Sequence, residues 1–295
     1  LDGPLRDLPQ EGLRRHSRRS DTLLAVGGAE PPLNYAIVEA AMIEAHGLSD
    51  PGRKRKSNED SMQFDPGIGF AVVADGMGGH QSGEVASQLA VETLQGFVTR
   101  AHRDRDLTWP FGLMAGRSFE ANCLSTGIRL ANQSVYRAAA KRDELAGMGT
   151  TIVAALARDG RLTYAGVGDS RVYLFRDSRL RQLTRDDSWI EAALGQRLID
   201  AADREVHPFR HVLTKAVGLQ EDVEFEVGEE RIQAGDRVLL CSDGLTTALL
   251  DQRIEEVLRL YAEDLEAACP ALVTAANEAG GPDNVTVVLV RPTGR

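Results

Sequence analysis

The sequence predicts an α+β fold in which two antiparallel sheets carry helices on their outer faces. Three observations support this. Strand-like runs occur in pairs separated by tight-turn signals. Helical patterns also come in pairs and do not alternate one-for-one with strands, which argues against a βαβ sheet. Four short acidic motifs each stand at the end of a predicted strand: Asn58-Glu59-Asp60, Ala74-Asp75-Gly76-Met77-Gly78-Gly79, Ser242-Asp243-Gly244 and Gly281-Pro282-Asp283-Asn284.

Residues 1–34 differ in composition from the rest of the chain. Arg14, Arg15, Arg18 and Arg19 cluster there, with Gly27-Gly28 and Pro31-Pro32 after them. This composition reads as a disordered, solvated tail, with residues 35–295 forming the folded domain. Residues 61–64 and 68–74 are strand-like about the turn Asp65-Pro66-Gly67. Mirror positions about that turn set Asp60 opposite Asp75. Residues 83–97 carry Val85, Leu89, Val91, Leu94 and Phe97 at helical spacing. Residues 119–145 read as one longer helix. Strands return at 151–157, 162–167 and 172–175. Asp159-Gly160 turns between the first two, and Gly168-Asp169-Ser170 between the next, which places Asp169 at a hairpin tip. The mixed, polar stretch 176–224 suits a surface flap with a short helix near Trp189. Strands at 237–241 and 285–290 bracket helical patterns at 251–260 and 264–278. If these two strands are antiparallel neighbours, Asp243 approaches Asp283.

The bulk composition excludes several classes. A hydrophobic content of 42% over 295 residues supports a substantial core. A formal net charge of −10 disfavours a nucleic-acid binder. No apolar run approaches the roughly 20 residues that span a bilayer, and no secretory signal is recognised. Cys123, Cys241 and Cys269 are widely spaced and form no CxxC pattern. They read as reduced packing cysteines of a cytoplasmic protein. The first residue is Leu1 rather than Met, which leaves a fragment or a processed form open.

Carboxylates gathered from distant strand ends repel one another unless a cation lies between them. Hard divalent ions such as Mg²⁺ and Mn²⁺ take such oxygen ligands. Each motif also has a plainer explanation. The glycine run could be a tight turn beside a solvated Asp, Gly168-Asp169 an ordinary hairpin turn, Ser242 a helix N-cap, and Pro282-Asp283 a turn before a strand. The basic run Arg53-Lys54-Arg55-Lys56 could be a solvated loop, or Arg55 could fork onto a phosphate. The glycine run has neither GxGxxG nor GxxxxGK[ST] spacing, and no GxSxG elbow occurs. His80 comes directly after the glycines, whereas His46, His207 and His211 read as capping, packing or solvent-facing residues.

Taken in order, Arg55 with Asn58-Glu59-Asp60, Asp75-Gly76-Met77-Gly78-Gly79, Gly147-Met148-Gly149-Thr150-Thr151, Gly168-Asp169-Ser170-Arg171, Ser242-Asp243-Gly244 and Asp283-Asn284 resemble the metal-dependent serine/threonine protein phosphatases of type 2C. The resemblance covers about residues 45–291 and looks closest to compact bacterial members. It implies a central β-sandwich flanked by helices, in four αββα layers, with a dinuclear Mn²⁺ or Mg²⁺ site at one end. By the same resemblance Asp75 bridges both ions, Asp243 and Asp283 complete the first, and Glu59 and the Gly76 carbonyl serve the second. Asp169, with Asp243, would hold a third, weaker ion. Asp60 would be a supporting carboxylate, and Arg55 would bind the substrate phosphate.

The chain departs from the family pattern in two places. Eukaryotic relatives carry a His at the position of Met77, so the leaving-group proton must come from elsewhere, with His80 a candidate. Many bacterial relatives read Asp-His-Ser where this chain has Asp186-Asp187-Ser188. The implied activity is hydrolysis of phosphoserine and phosphothreonine in proteins by metal-activated water, opposing a bacterial serine/threonine kinase in signal transduction. The partners expected are phosphorylated proteins and that kinase, with neither nucleic acid nor membrane, and the chain a monomer. The alternatives are a narrow phosphatase for an anti-anti-sigma or secretion-system phosphoprotein, and a catalytically silent binding scaffold.

Overall fold

A computed structural model describes residues 43–79, 82–104, 106–200 and 207–293. The tail expected at 1–34 and the candidate His80 lie outside the described residues.

Two antiparallel sheets form the centre. The first has strand order β1 (Ile43–Asp50), β11 (Val285–Pro292), β10 (Arg237–Cys241), β7 (Arg171–Arg176) and β8 (Arg179–Gln182). The second runs β2 (Asp60–Asp65), β3 (Phe70–Met77), β5 (Ile152–Arg158), β6 (Arg161–Val167) and β9 (Val227–Arg231), with the short β4 (Gly149–Thr150) paired to the end of β3. Helices α1 (Ser82–Arg103) and α2 (Phe119–Lys141) belong with the second sheet. Helices α5 (Asp251–Leu260) and α6 (Leu265–Glu278) belong with the first.

Alternation along the central strands explains the four layers. Side chains one residue apart on a strand point to opposite faces. Phe70, Val72 and Ala74 of β3 join the core under α1 and α2, whereas Ala71 and Val73 join the core between the sheets. In β11, Val285, Val287 and Leu289 face the helices α5 and α6, and Val288 and Val290 face the other sheet. Both faces are buried, so these strands read as nearly unbroken apolar runs rather than as polar–apolar alternation.

Turn chemistry closes the hairpins. Asp65 Oδ1 accepts from the Gly67 N–H at 2.9 Å between β2 and β3. Asp159 and Gly160 both take positive φ, at 50° and 70°, between β5 and β6, as a two-residue hairpin loop requires. The long helix expected over 119–145 stops at Lys141, and a separate 3-10 turn covers Asp143–Leu145. Besides the two-residue β4, three strands are not expected from the sequence: β1, β8 and β9. Each lies at a sheet edge, where half-exposed residues dilute the apolar signal. β8 lies within the stretch that the sequence assigns to a flap, as does α3 (Trp189–Gly195).

Asp169 corrects one local expectation, for it is not at a hairpin tip. β6 and β7 belong to different sheets, so Gly168-Asp169-Ser170 is a corner where the chain crosses from one sheet to the other. Gly168 at φ 98° makes that corner, packed against Thr151. The turn is where its residues predict it, but turn residues do not say which strands are hydrogen-bonded.

Candidate metal centre

Strand register brings the acidic motifs to one end of the sandwich. Asp60 pairs with Asp75 across β2 and β3. Cys241 of β10 pairs with Val287 of β11. The residues just beyond, Asp243 at the start of α4 (Asp243–Ala248) and Asp283 ahead of β11, therefore emerge together. A direct bond network joins the two sheets here. Asp60 Oδ2 accepts from Ser242 Oγ and from Thr286 Oγ1, both at 2.7 Å. Ser242 thus does not cap α4 with its side chain. Its hydroxyl instead donates to the carboxylate of the opposite sheet.

The electrostatics of the cluster are adverse. Burial, and then the charges of Asp60, Asp243, Asp169 and Asp283, hold the Asp75 carboxyl well above the ordinary range. Burial pushes Asp60 up to about 6, against the two hydroxyl bonds and with help from Asp243 and Asp283. Burial and the neighbouring Asp243 and Asp186 push Asp169 up to about 7. Asp243 is raised by burial and by Asp283, while a hydrogen bond with Asp75 opposes the shift. Among the described residues, the buried Oδ1 atoms of Asp60 and Asp243 have no hydrogen-bond partner. An orphaned, buried carboxylate oxygen costs free energy unless something meets it.

Glu59 and Arg55 complete the rim. The Glu59 carboxyl is also raised, chiefly by burial, with Arg55 opposing. Arg55 Nη2 donates to Asp283 Oδ2 at 2.7 Å, and that bond holds the guanidinium above its usual pKa. Gly76 continues β3 rather than opening a loop. Its N–H donates to the Glu59 carbonyl at 3.1 Å. A Cβ at Gly76 would lie 2.0 Å from the Gly83 carbonyl oxygen and 2.6 Å from that of Glu59. Close approach, more than backbone freedom, explains this glycine. Asn284 has a role that sequence reasoning does not find. Its side chain accepts from the Glu59 N–H at 2.8 Å and donates to the Pro51 and Ser57 carbonyls at 3.0 and 2.8 Å. Its place in a motif is visible in the sequence, but its tertiary partners are not.

Asp169 and Asp243 share a cleft with Arg210 and His211. Beside it Asp186 binds Arg171 through both carboxylate oxygens, at 2.8–3.1 Å, and Arg171 also donates to the Tyr173 hydroxyl. Asp187 receives the Gly168 N–H at 3.3 Å and pairs with Lys215 at 3.2 Å. Asp187, the second residue of the Asp-Asp-Ser departure, is therefore bonded to the corner that carries Asp169.

The donor set is wholly oxygen, crowded and partly orphaned, which fits a hard divalent cation. Among the described residues, no group of three or more His, Cys, Asp or Glu side chains is arranged to hold an ion as it stands. In this arrangement Asp283 is engaged by Arg55, and Asp60 Oδ2 by two hydroxyls.

Comparison with known sequences settles the family. Residues 53–275 match the protein phosphatase 2C family. The chain belongs to that family. It is 37% identical over 241 residues to the serine/threonine protein phosphatase PstP of Mycobacterium tuberculosis, covering 82% of this chain and 43% of PstP. It is 36% identical over 245 residues to the serine/threonine phosphatase stp of Listeria monocytogenes, covering 82% of this chain and 93% of stp. The chain thus spans less than half the length of the first relative and nearly all of the second. A solved structure of the PstP catalytic domain in complex with two manganese ions superimposes with a TM-score of 0.71 at 33% identity, covering 85% of this chain and 98% of that one. The four-layer architecture is accordingly that of a phosphatase 2C member.

Proposed function

We propose that this protein is a metal-dependent protein serine/threonine phosphatase that hydrolyses phosphoserine and phosphothreonine and opposes a protein kinase. One observation carries the proposal: carboxylates from both sheets converge at one end of the sandwich, where two buried oxygens have no partner among the described residues. Family membership supports it, as do relatives named serine/threonine phosphatases.

Asp75, Asp243, Asp283 and Glu59, with the Gly76 carbonyl, would hold two ions, Mn²⁺ or Mg²⁺, and Asp169 with Asp243 a weaker third. When bound, such ions acidify a water and neutralise phosphoryl charge. Asp60 would support its neighbours; the bonds from Ser242 and Thr286 to its Oδ2, with its Oδ1 unpartnered among the described residues, favour that reading. Arg55 supplies a planar pair of donors for a phosphoryl oxygen. Only Nη2 of the guanidinium is engaged by Asp283, so its other N–H donors are available to a phosphoryl oxygen. No nucleophilic side chain is required: water would attack phosphorus directly, its O–P bond replacing the P–O bond to serine or threonine, which leaves as the alcohol carrying the water's proton. Among the described residues no helix is long and apolar enough to cross a membrane.

The test is phosphate release from a phosphothreonine peptide with Mn²⁺, Mg²⁺ or EDTA. Release should require the metal and should be lost in Asp75→Ala and Asp243→Ala. Full activity in EDTA, or in either variant, would remove the carboxylates from the mechanism.

A further inference from the structure

Phosphate binding uses only part of the basic run Arg53-Lys54-Arg55-Lys56. Arg55 faces Asp283, but Arg53, Lys54 and Lys56 are exposed, and among the described residues no hydrogen bond or ion pair engages the Lys54 or Lys56 ammonium groups. The chain carries a formal net charge of −10, so four consecutive cations run against its overall composition. Solubility does not call for them.

Their position is tightly determined. Asn284, next to Asp283, bonds the carbonyls on both sides of the run, at Pro51 and Ser57. Gly52 takes φ 78°, and a side chain there would strike the Asp283 carbonyl, 2.1 Å from its Cβ. Its N–H donates to Asp50 Oδ1 at 2.9 Å. The Arg53 N–H donates to the Gly281 carbonyl at 2.9 Å. The run is therefore a cationic rim pinned to the loop that bears Asp283, at the mouth of an acidic site.

We propose that Lys54 and Lys56 are specificity-determining residues that favour phosphorylated segments with Asp or Glu beside the phosphoresidue. This rests on the phosphatase assignment and extends it to a substrate class. Acidic peptides are repelled by the molecule's net field, and a basic rim reverses that repulsion locally. An extended peptide rises about 3.3 Å per residue. With its phosphate at Arg55, carboxylates one to three residues away fall within the span of the rim.

The experiment compares three phosphothreonine peptides that differ only in flanking Glu, Ala or Lys, with Mn²⁺ at low and high salt. kcat/KM should fall in the order Glu, Ala, Lys, by about 3- to 10-fold between the extremes. High salt should compress the range. Lys54→Glu with Lys56→Glu should invert the order. Equal kcat/KM for the three peptides with the unaltered protein, or an order unchanged in the double variant, would overturn the inference. If the unaltered protein hydrolyses none of the peptides, the phosphatase assignment fails instead.

Discussion

Asp60 shows how one residue serves the site at a cost to stability. Its carboxyl is raised to about 6 by burial, and Asp169 to about 7, both above an unfolded value near 3.8. Between about pH 4 and 7 the folded chain therefore binds more protons than the unfolded one. Stability from these groups is present at low pH and is lost as pH rises through the folded values. Asp60→Asn removes the charge while keeping an acceptor for the hydroxyls of Ser242 and Thr286. In EDTA, its melting temperature should match the unaltered protein at pH 4 and exceed it increasingly toward pH 8, while Mn²⁺ binding weakens. A constant offset across that range, read by thermal denaturation, would count against the assigned cause. The pairing of Asp60 with Asp75 is legible in the sequence because one turn fixes the register. The hydroxyl partners are not, since they lie 182 and 226 positions away.

Single elements owe their placement to close approach. Gly76 lets the end of β3 pass against the backbone of Gly83 in α1. Gly76→Ala forces backbone apart and should cost about 3 kcal/mol or more, measured by urea denaturation, with reduced Mn²⁺ affinity because Asp75 is its neighbour. Asn284 unites three backbone groups from the 51–59 segment. Asn284→Ala should cost about 2–3 kcal/mol and raise KM for phosphopeptides more than it lowers kcat, because it loosens the loop that carries Arg55. Steady-state kinetics on a phosphothreonine peptide would separate the two effects. The central strands and the long helices are legible from apolar runs and helical spacing. The edge strands β1, β8 and β9 are not, because their partners make them strands more than their composition does.

Across the whole molecule, the site is a junction between two sheets. Glu59, Asp60 and Asp75 come from one, and Asp243 and Asp283 from the other. Ion binding should therefore stabilise the sandwich as a unit. At a hundredfold excess over Kd the gain is about 2.7 kcal/mol, or a rise of roughly 5–10 °C in Tm for a domain of this size. Calorimetry should show that rise with Mn²⁺ and its loss in Asp243→Ala. The layer order, the acidic motifs and the register of Asp60 on Asp75 are written in the chain itself, because apolar runs, helical period and turn residues act over short distances. That Asp169 stands at a crossover, that Arg55 bonds Asp283 and that Asn284 pins the basic rim emerges only when the sheets have packed. Those pairings join residues far apart in the chain, and sequence spacing carries no information about which distant partner will satisfy a buried polar group.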